Sequence, residues 1–487
     1  MDPEAIEEIV EELPNISGWD DTVAAVTRTR PHPAVFGDRT VMRLDRLQSA
    51  FAIALHMHQP LILGEGDLAS APIIGNLQFM MENQHIHGNH DAPVFARCYS
   101  RIADFIRELV DAGRQPRVML DYSGELLFGL RQMGRGDILD NLKSVTLDDR
   151  YRRHVEWLGT MWGHCVVPST PVPDLRLHIR AWQQHFAAIF GWEAFARVRG
   201  FSPPEMHLPN DPDVCHEYVK TLRECGYDWL FVQEHTVEES DGSGLRERFL
   251  PRRLVARNSR GEEASITAII KTQGSDTKLI GHMQPVSEAR SLRPREIGGR
   301  PIPPLVAQIS DGENGGVMMN EFPDHFQRTW RELGTEGVVG LNATEYLELL
   351  LAAGVKETQF APILPLHQHA IWREVGADVN PERVARATEE LRRRDHRLQM
   401  DGGSWTNNLS WVKGYENVLD PINKLSVLFH QKLHEPRVDR RGRAYRNALF
   451  HLLISETSCY RYWGQGRWTD YAREICRRGT EILQRDF

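Results

Sequence analysis

His56-Met57-His58-Gln59-Pro60 follows directly on an apolar run. In an extended chain alternate side chains point to one side, so the two imidazoles face a single spot. A pair of capped structural histidines would give the same pattern. Gly200-Phe201-Ser202-Pro203-Pro204-Glu205 presents a carboxylate behind two prolines that fix its backbone, a rigid mounting useful to acid or base chemistry. In Asp311-Gly312-Glu313-Asn314-Gly315-Gly316 two carboxylates stand two residues apart among glycines, which let a ligand approach the backbone closely. A calcium loop or a plain turn is the alternative there.

A fourth cluster, Gln84 to Asp91, carries His85, His87, His90 and Asp91, donor types that suit zinc or iron. Well-formed sites draw ligands from more than one element, so a loop of solvated histidines is the simpler reading. Trp157, Trp162, Trp405, Trp411, Trp463 and Trp468 could stack on sugar rings, although tryptophan is more often core.

The elements that must position these groups can be traced. Seven apolar runs recur at Phe51–Leu55, Val118–Leu120, Val155–Leu158, Val198–Phe201, Trp229–Val232, Leu305–Ile309 and Val338–Leu341, most followed by helical periodicity. Phe95, Ile102, Phe105, Ile106, Leu109 and Val110 form one helical stripe ending at Gly113. Asp211-Pro212 caps another helix that runs to about Gly226, and Thr344 opens a third. Such alternation predicts an α/β fold with a parallel sheet, either open and doubly wound or closed into a barrel. In such folds ligands bind at the carboxyl ends of strands, where the histidines and both acidic segments fall.

Residues 236–303, rich in Gly, Ser, Arg and Pro around a hairpin through Ala264–Ile270, are expected to be an insertion. From about Asn380 charged helical patterns take over, predicting a C-terminal helical domain over 380–487. The catalytic domain would then span 48–370 behind an N-terminal extension of residues 1–47, itself an acidic helix and a proline-bearing linker.

With 41% hydrophobic and 26% charged residues in 487, the chain is globular, and its net charge of −9 disfavours a general nucleic-acid or anionic-membrane binder. Cys98, Cys165, Cys215, Cys225, Cys459 and Cys476 are scattered, with no C-x-x-C pair, and read as reduced thiols. The acidic start, MDPEAIEEIVEELPN, lacks a secretory signal's basic and apolar regions, so a cytoplasmic location is expected.

Taken in order, these segments resemble the family 57 glycoside hydrolases, a family of α-amylases, 4-α-glucanotransferases and α-glucan branching enzymes. His56 to Pro60 matches the family's H-x-H-Q-P motif. Gly200, Phe201, Pro204 and Glu205 match G-[FY]-W-x-P-E, with Ser202 where tryptophan is usual. Asp311 to Gly316 resembles D-G-E-x-[FG]-G. Val155-Glu156 partly matches G-Q-[VL]-E, a nearby motif histidine corresponds to His164, and Gly403-Ser404-Trp405 with Trp411 resembles the G-S-W segment before the C-terminal helices. In the fifth motif Cys459 occupies the position of an aspartate. The resemblance covers about residues 48–487.

The resemblance implies an incomplete, seven-stranded (β/α) barrel and a retaining mechanism on α-linked oligo- or polysaccharides. Glu205 aligns with the nucleophile and Asp311 with the general acid/base, whose pKa Glu313 and Glu205 would raise by like-charge repulsion. His56 and His58 align with residues that hydrogen-bond sugar hydroxyls; Gln59, Glu156, His164, Glu313, Trp405, Trp411 and Cys459 complete the expected substrate contacts. No metal or organic cofactor is required by this chemistry, and the expected partner is a carbohydrate. Two rivals stand beside it: a metal-dependent hydrolase of the amidohydrolase or carbohydrate-deacetylase type, with zinc on the H-x-H pair, and an inactive carbohydrate-binding homologue, which Ser202 and Cys459 make conceivable.

Overall fold

The computed structural model describes residues 4–30, 36, 40–272, 278–313, 320–396, 398–405, 416–433, 438–462 and 466–487. Seven parallel strands organise it: β1 (Leu47–Met57), β2 (Val118–Tyr122), β3 (Val155–Trp157), β4 (Gly200–Phe201), β5 (Trp229–Gln233), β6 (Glu263–Lys271) and β7 (Leu305–Asp311). β1 pairs with β2 and β2 with β3. A parallel bridge, Gly159 to Phe201, links β3 to β4. From there β4 pairs with β5, β5 with β6, β6 with β7, and β7 with β1 again.

Alternation along these strands sorts their side chains into two clusters, as the period of two requires. Phe51, Ile53, Leu55, Leu120, Trp157, Val232, Ile270 and Val306 pack outward into a large core shared with the helices. Ala50, Ala52, Ala54, Met119, Leu158, Trp229, Phe231, Ile269, Ala307 and Ile309 face one another in a second cluster. The three alanines of β1 and Gly200 leave room for the Trp229 indole, which a Cβ on Gly200 would meet at 2.1 Å. The next inward position on each strand therefore delivers a side chain to the carboxyl end: His56, Asp121, Thr160, Ser202, Gln233, Lys271 and Asp311.

The run at Val338–Leu341 forms a strand, Gly337–Gly340, but it pairs with Leu47–Phe51 at the start of β1 and takes no place between other strands. The seventh member of the succession is instead β6, which the sequence reading placed inside an insertion. It does form an antiparallel hairpin, with Arg252–Arg257 as its partner, but β6 also pairs in parallel with Trp229–Gln233. Glu263 to Lys271 is apolar on both faces over its second half, which fits a strand covered on both sides.

Helices cover the outer face. α1 (Ala92–Asp111) carries the predicted stripe, α2 (Gly124–Gln132) is capped by Ser123 Oγ, α3 (Val172–Phe190) follows, and α4 (Pro212–Glu224) is capped by Asp211 as predicted. After α5 (Gln284–Ser291) and α6 (Phe322–Glu332) comes α7 (Ala343–Ala352), whose Ala343, Tyr346 and Leu350 join the inner cluster and close its amino end. A bidentate pair holds it there, with Arg117 Nε and Nη2 2.7 and 3.0 Å from the Glu345 oxygens, both side chains buried. The C-terminal helices are α8 (Pro381–Arg394), α9 (Glu416–Lys432), α10 (Arg443–Ser455), α11 (Cys459–Tyr462) and α12 (Arg467–Asp486). Within residues 4–30, Ile6, Ile16, Val23 and Val26 are buried in the outer core, and the helix lies at Asp20–Arg28. Among the described residues no helix is long and apolar enough to cross a membrane.

Candidate active site

At the carboxyl end of β1 the His56 ring stands between two partners. Its Nδ1 is 2.8 Å from Asp121 Oδ2 and its Nε2 is 2.8 Å from His164 Nε2. Burial opposes a charge on His56, but Asp121, Asp311 and Glu313 outweigh it and push the imidazole up to about 10. His56 is therefore a cation that donates from both nitrogens, and His164 accepts on Nε2. The Nδ1–H of His164 is then left to donate to Ser458 Oγ at 2.7 Å. Burial and the neighbouring histidines hold His164 well below the usual imidazole range, in keeping with a neutral acceptor.

His58 stacks on His164 with ring centroids 3.8 Å apart and planes 8° from parallel. Its Nδ1 meets Ser123 Oγ at 2.8 Å and its Nε2 meets Cys459 Sγ at 3.4 Å. Burial, then the charge of His56, keeps it neutral. Ser123 accepts from Leu126 N as helix cap, so its hydroxyl proton is free for His58 Nδ1, which leaves the His58 Nε2–H aimed at the thiol. Gln59 is held by Asn76 Nδ2 at 2.7 Å beside this group.

The carboxylates converge from the other strands. Asp311, in register with His56, ends β7. The backbone N–H of Gly312 donates to His56 O at 2.8 Å, and that of His58 to the Glu313 side-chain Oε1 at 3.1 Å, tying the acidic segment to the histidine segment. Glu205 follows β4 in a left-handed conformation, φ 57° and ψ 16°, as does Met206 with φ 51°. For side chains larger than glycine this costs ~1–3 kcal/mol each and persists only where the surroundings impose it. Pro203 and Pro204 on one side, and Trp405 N–H donating to Glu205 O at 3.1 Å on the other, supply that constraint. His164 shares the left-handed strain, with φ 52°.

Burial pushes Glu205 up to about 7, with the charge of Asp311 adding to it and His56 opposing. Glu313 is pushed to about 8 by burial and then by Asp311. Glu205 and Glu313, each within range of Asp311 beside a single cation, retain at least one proton near neutrality. The arrangement offers an ionised carboxylate and a protonated carboxyl at the same mouth. The Trp405 ring lies 6.1 Å from His56, edge-on, and borders them.

His56, His58, Gln59, His164, Glu205, Asp311, Glu313, Trp405 and Cys459 are thus brought together. Glu156 is not: it is buried at the other end of the inner cluster, where its carboxyl accepts from the backbone N–H of Thr344 at 3.1 Å and from the Thr344 hydroxyl. Trp411 lies outside the described residues, as do Gly315 and Gly316. His85, His87 and His90 are exposed at the surface; among the described residues the group of metal-type donors that converges is a different one. Asp121, Ser123 and Ser458 went unrecognised in the sequence. Asp121-Tyr122-Ser123 does carry a signal, two polar residues closely following the apolar run Val118–Leu120, like the segments that were recognised.

Residues 52–267 match the model of Glycosyl hydrolase family 57. The family 57 match takes in the His56 and Glu205 segments and ends before Asp311. The structure is similar to that of the 4-alpha-glucanotransferase from Thermococcus litoralis, with a TM-score of 0.56 and 16% identity over 91% of this chain and 60% of that one. That likeness shows a shared fold, and the chain spans three fifths of that protein's length. The GH57-type branching enzyme of Pyrococcus horikoshii gives a TM-score of 0.47 and 12% identity over 89% of this chain and 88% of that one. For the alpha-amylase AmyC of Thermotoga maritima the values are 0.46 and 10%, over 90% and 93%. No curated protein is similar in sequence.

Proposed function

We propose that the protein is a retaining glycoside hydrolase or transglycosylase of the family 57 type, acting on α-linked oligo- or polysaccharides through a glycosyl-enzyme intermediate. The observation that carries the reading is the meeting of Glu205 and Asp311 at one strand-end mouth, close enough for the charge of one to raise the other's pKa, beside a histidine cation. The ring of strand pairings is then a seven-stranded (β/α) barrel over about 48–370, and residues 380–487 are its helical partner, reaching the mouth through Ser458 and Cys459.

In this mechanism Glu205, ionised opposite His56, attacks the anomeric carbon while Asp311 gives its proton to the leaving glycosidic oxygen. A covalent ester to Glu205 results. Asp311, now a carboxylate, takes a proton from water or from a sugar hydroxyl, which attacks the ester from the vacated side and restores both groups. Trp405 would pack on a sugar face. The His56 cation serves the ionised form of Glu205 during the first step.

The test is to incubate the protein with maltooligosaccharides, glycogen and α-galactosides and to resolve products by chain length, linkage and anomeric configuration. Retained configuration with chelator present supports the reading. Inverted product, or activity lost to the chelator, overturns it.

A further inference from the structure

At the start of α6, two histidines and a carboxylate approach one another from separate parts of the chain. His282 follows the short helix Lys278–Gly281 and precedes Met283, whose φ of 53° turns the chain into α5. Glu321 and His325 stand four apart at the start of α6, the spacing that places side chains on one helical face, and His325 N–H donates to Glu321 O at 3.2 Å. His282 Nε2 lies 2.9 Å from Glu321 Oε2, and the His282 and His325 ring centroids are 5.1 Å apart with planes at 73°. One donor atom from each of the three lies within 4.8 Å of the others.

We infer that His282, Glu321 and His325 bind one divalent cation of the zinc class. Two imidazoles and a carboxylate suit a borderline ion such as Zn²⁺ or Co²⁺, with water in the fourth tetrahedral position. The side chains of His282 and Glu321 are 44% and 46% exposed, so a hydrated ion reaches them without any rearrangement of the core. Ligands drawn from two elements also distinguish this group from the run His85–Asp91, whose donors all come from one stretch of chain.

Arg328 sets the affinity. Its Nη2 lies 2.9 Å from His325 Nδ1, and because a guanidinium only donates, Nδ1 presents a lone pair there while the proton sits on Nε2. An ion bound to His325 competes with Arg328 for a nitrogen lone pair, and the exposed arginine is displaced as the ion enters. The Arg328 charge opposes the ion as well.

The consequence is mechanical. The short helix Lys278–Gly281 packs against β7, and α6 packs against that helix. An ion joining His282 to α6 therefore cross-links the elements that back the strand ending in Asp311. It takes no part in bond breaking, and the inference stands whether or not the glycoside reading holds.

The full-length protein, treated with chelator and then freed of it, would be titrated with Co²⁺ while visible absorption is recorded, and its thermal midpoint measured with and without Zn²⁺. Expected are one equivalent of Co²⁺ with a tetrahedral absorption band and a higher midpoint in Zn²⁺. His282→Ala and His325→Ala should each abolish the band and the shift, while Arg328→Ala should move half-saturation to lower Co²⁺. Absence of binding, binding that survives both histidine variants, or weaker binding in Arg328→Ala would overturn the assignment.

Discussion

His56 Nε2 and His164 Nε2 are 2.8 Å apart, a contact that requires one ring to donate and the other to accept. Asp121 decides which, because its carboxylate on His56 Nδ1 makes His56 the cation. The protons of the whole line, Asp121, His56, His164 and Ser458, follow from that one buried carboxylate.

An Asp121→Asn variant keeps the shape and removes the charge. Loss of one charge-assisted hydrogen bond costs ~1.5–3 kcal/mol, so kcat/KM should fall roughly 10- to 100-fold. The pH dependence separates this from simple loss of fold. His56 in the parent keeps its charge up to about 10; in the variant it loses that charge at lower pH, and the alkaline limb of the rate profile should move toward neutrality. A profile that is lowered but not displaced would count against the relay.

The proposed catalytic pair, Glu205 and Asp311, makes a stricter prediction. Asp311→Asn should reduce turnover by ~10²–10⁴-fold, the usual scale for a lost general acid. Glu205→Gln should remove turnover of every substrate, and azide should rescue Glu205→Ala by entering the emptied face with inverted product. A retaining enzyme needs the two carboxyls about 5–5.5 Å apart, against about 6.5–9.5 Å for an inverting one. A crystal structure with a bound oligosaccharide checks the spacing, and parent-rate hydrolysis by a Glu205 variant would refute the assignment.

Stability should carry the mark of the crowded carboxyls. Glu205 at about 7 and Glu313 at about 8 bind protons more tightly folded than unfolded, where glutamate titrates near its ordinary value of about 4.3. Their contribution to stability is present in full below the ordinary value and disappears as pH climbs through 7 and 8. Glu313→Gln, neutral at every pH, should be more stable than the parent at pH ~9 by about 1–3 kcal/mol and indistinguishable from it at pH ~3. Urea midpoints at a series of pH values test this, and parallel curves for the two proteins would contradict it.

Much of this site was legible because strand ends announce themselves: an apolar run followed at once by His56, by Glu205 or by Asp311 is a local pattern. β6 was misread because its neighbours are set by long-range pairing, while the Gly- and Arg-rich flanks resemble an excursion. Val338–Leu341 met every local criterion for a member strand and was excluded by register alone, since it pairs beside Leu47–Phe51 where β2 has not yet begun. Glu156 illustrates the same limit. Its place on β3 is a sequence property, but its two partners on Thr344 depend on where α7 closes the inner cluster. Asp121 and Ser458 act through histidines distant in the chain, and no spacing rule connects them.

At Cys459, as at Ser202, the chain departs from the family 57 motifs, and the structure sharpens what restoring an aspartate at Cys459 would do. The Cys459 Sγ is 3.4 Å from His58 Nε2, the thiol is buried, and burial, then Glu125 and Glu205, hold it well above its usual range, so it is a neutral and weak partner. A carboxylate there would accept the His58 Nε2–H and turn His58 into a second cation, repeating at His58 what Asp121 does at His56. Sugar hydroxyls would gain an ionic acceptor, worth ~1–3 kcal/mol, and KM for α-1,4-glucans should fall about 5- to 100-fold in Cys459→Asp. The new charge also sits near Glu125, a carboxyl that burial already raises well above the usual range. Burying a new carboxylate there carries a desolvation cost, so the thermal midpoint should drop, and the gain in KM should persist in Cys459→Asp combined with Glu125→Gln. Unchanged or poorer glucan turnover in both variants would show that the thiol is not what limits affinity.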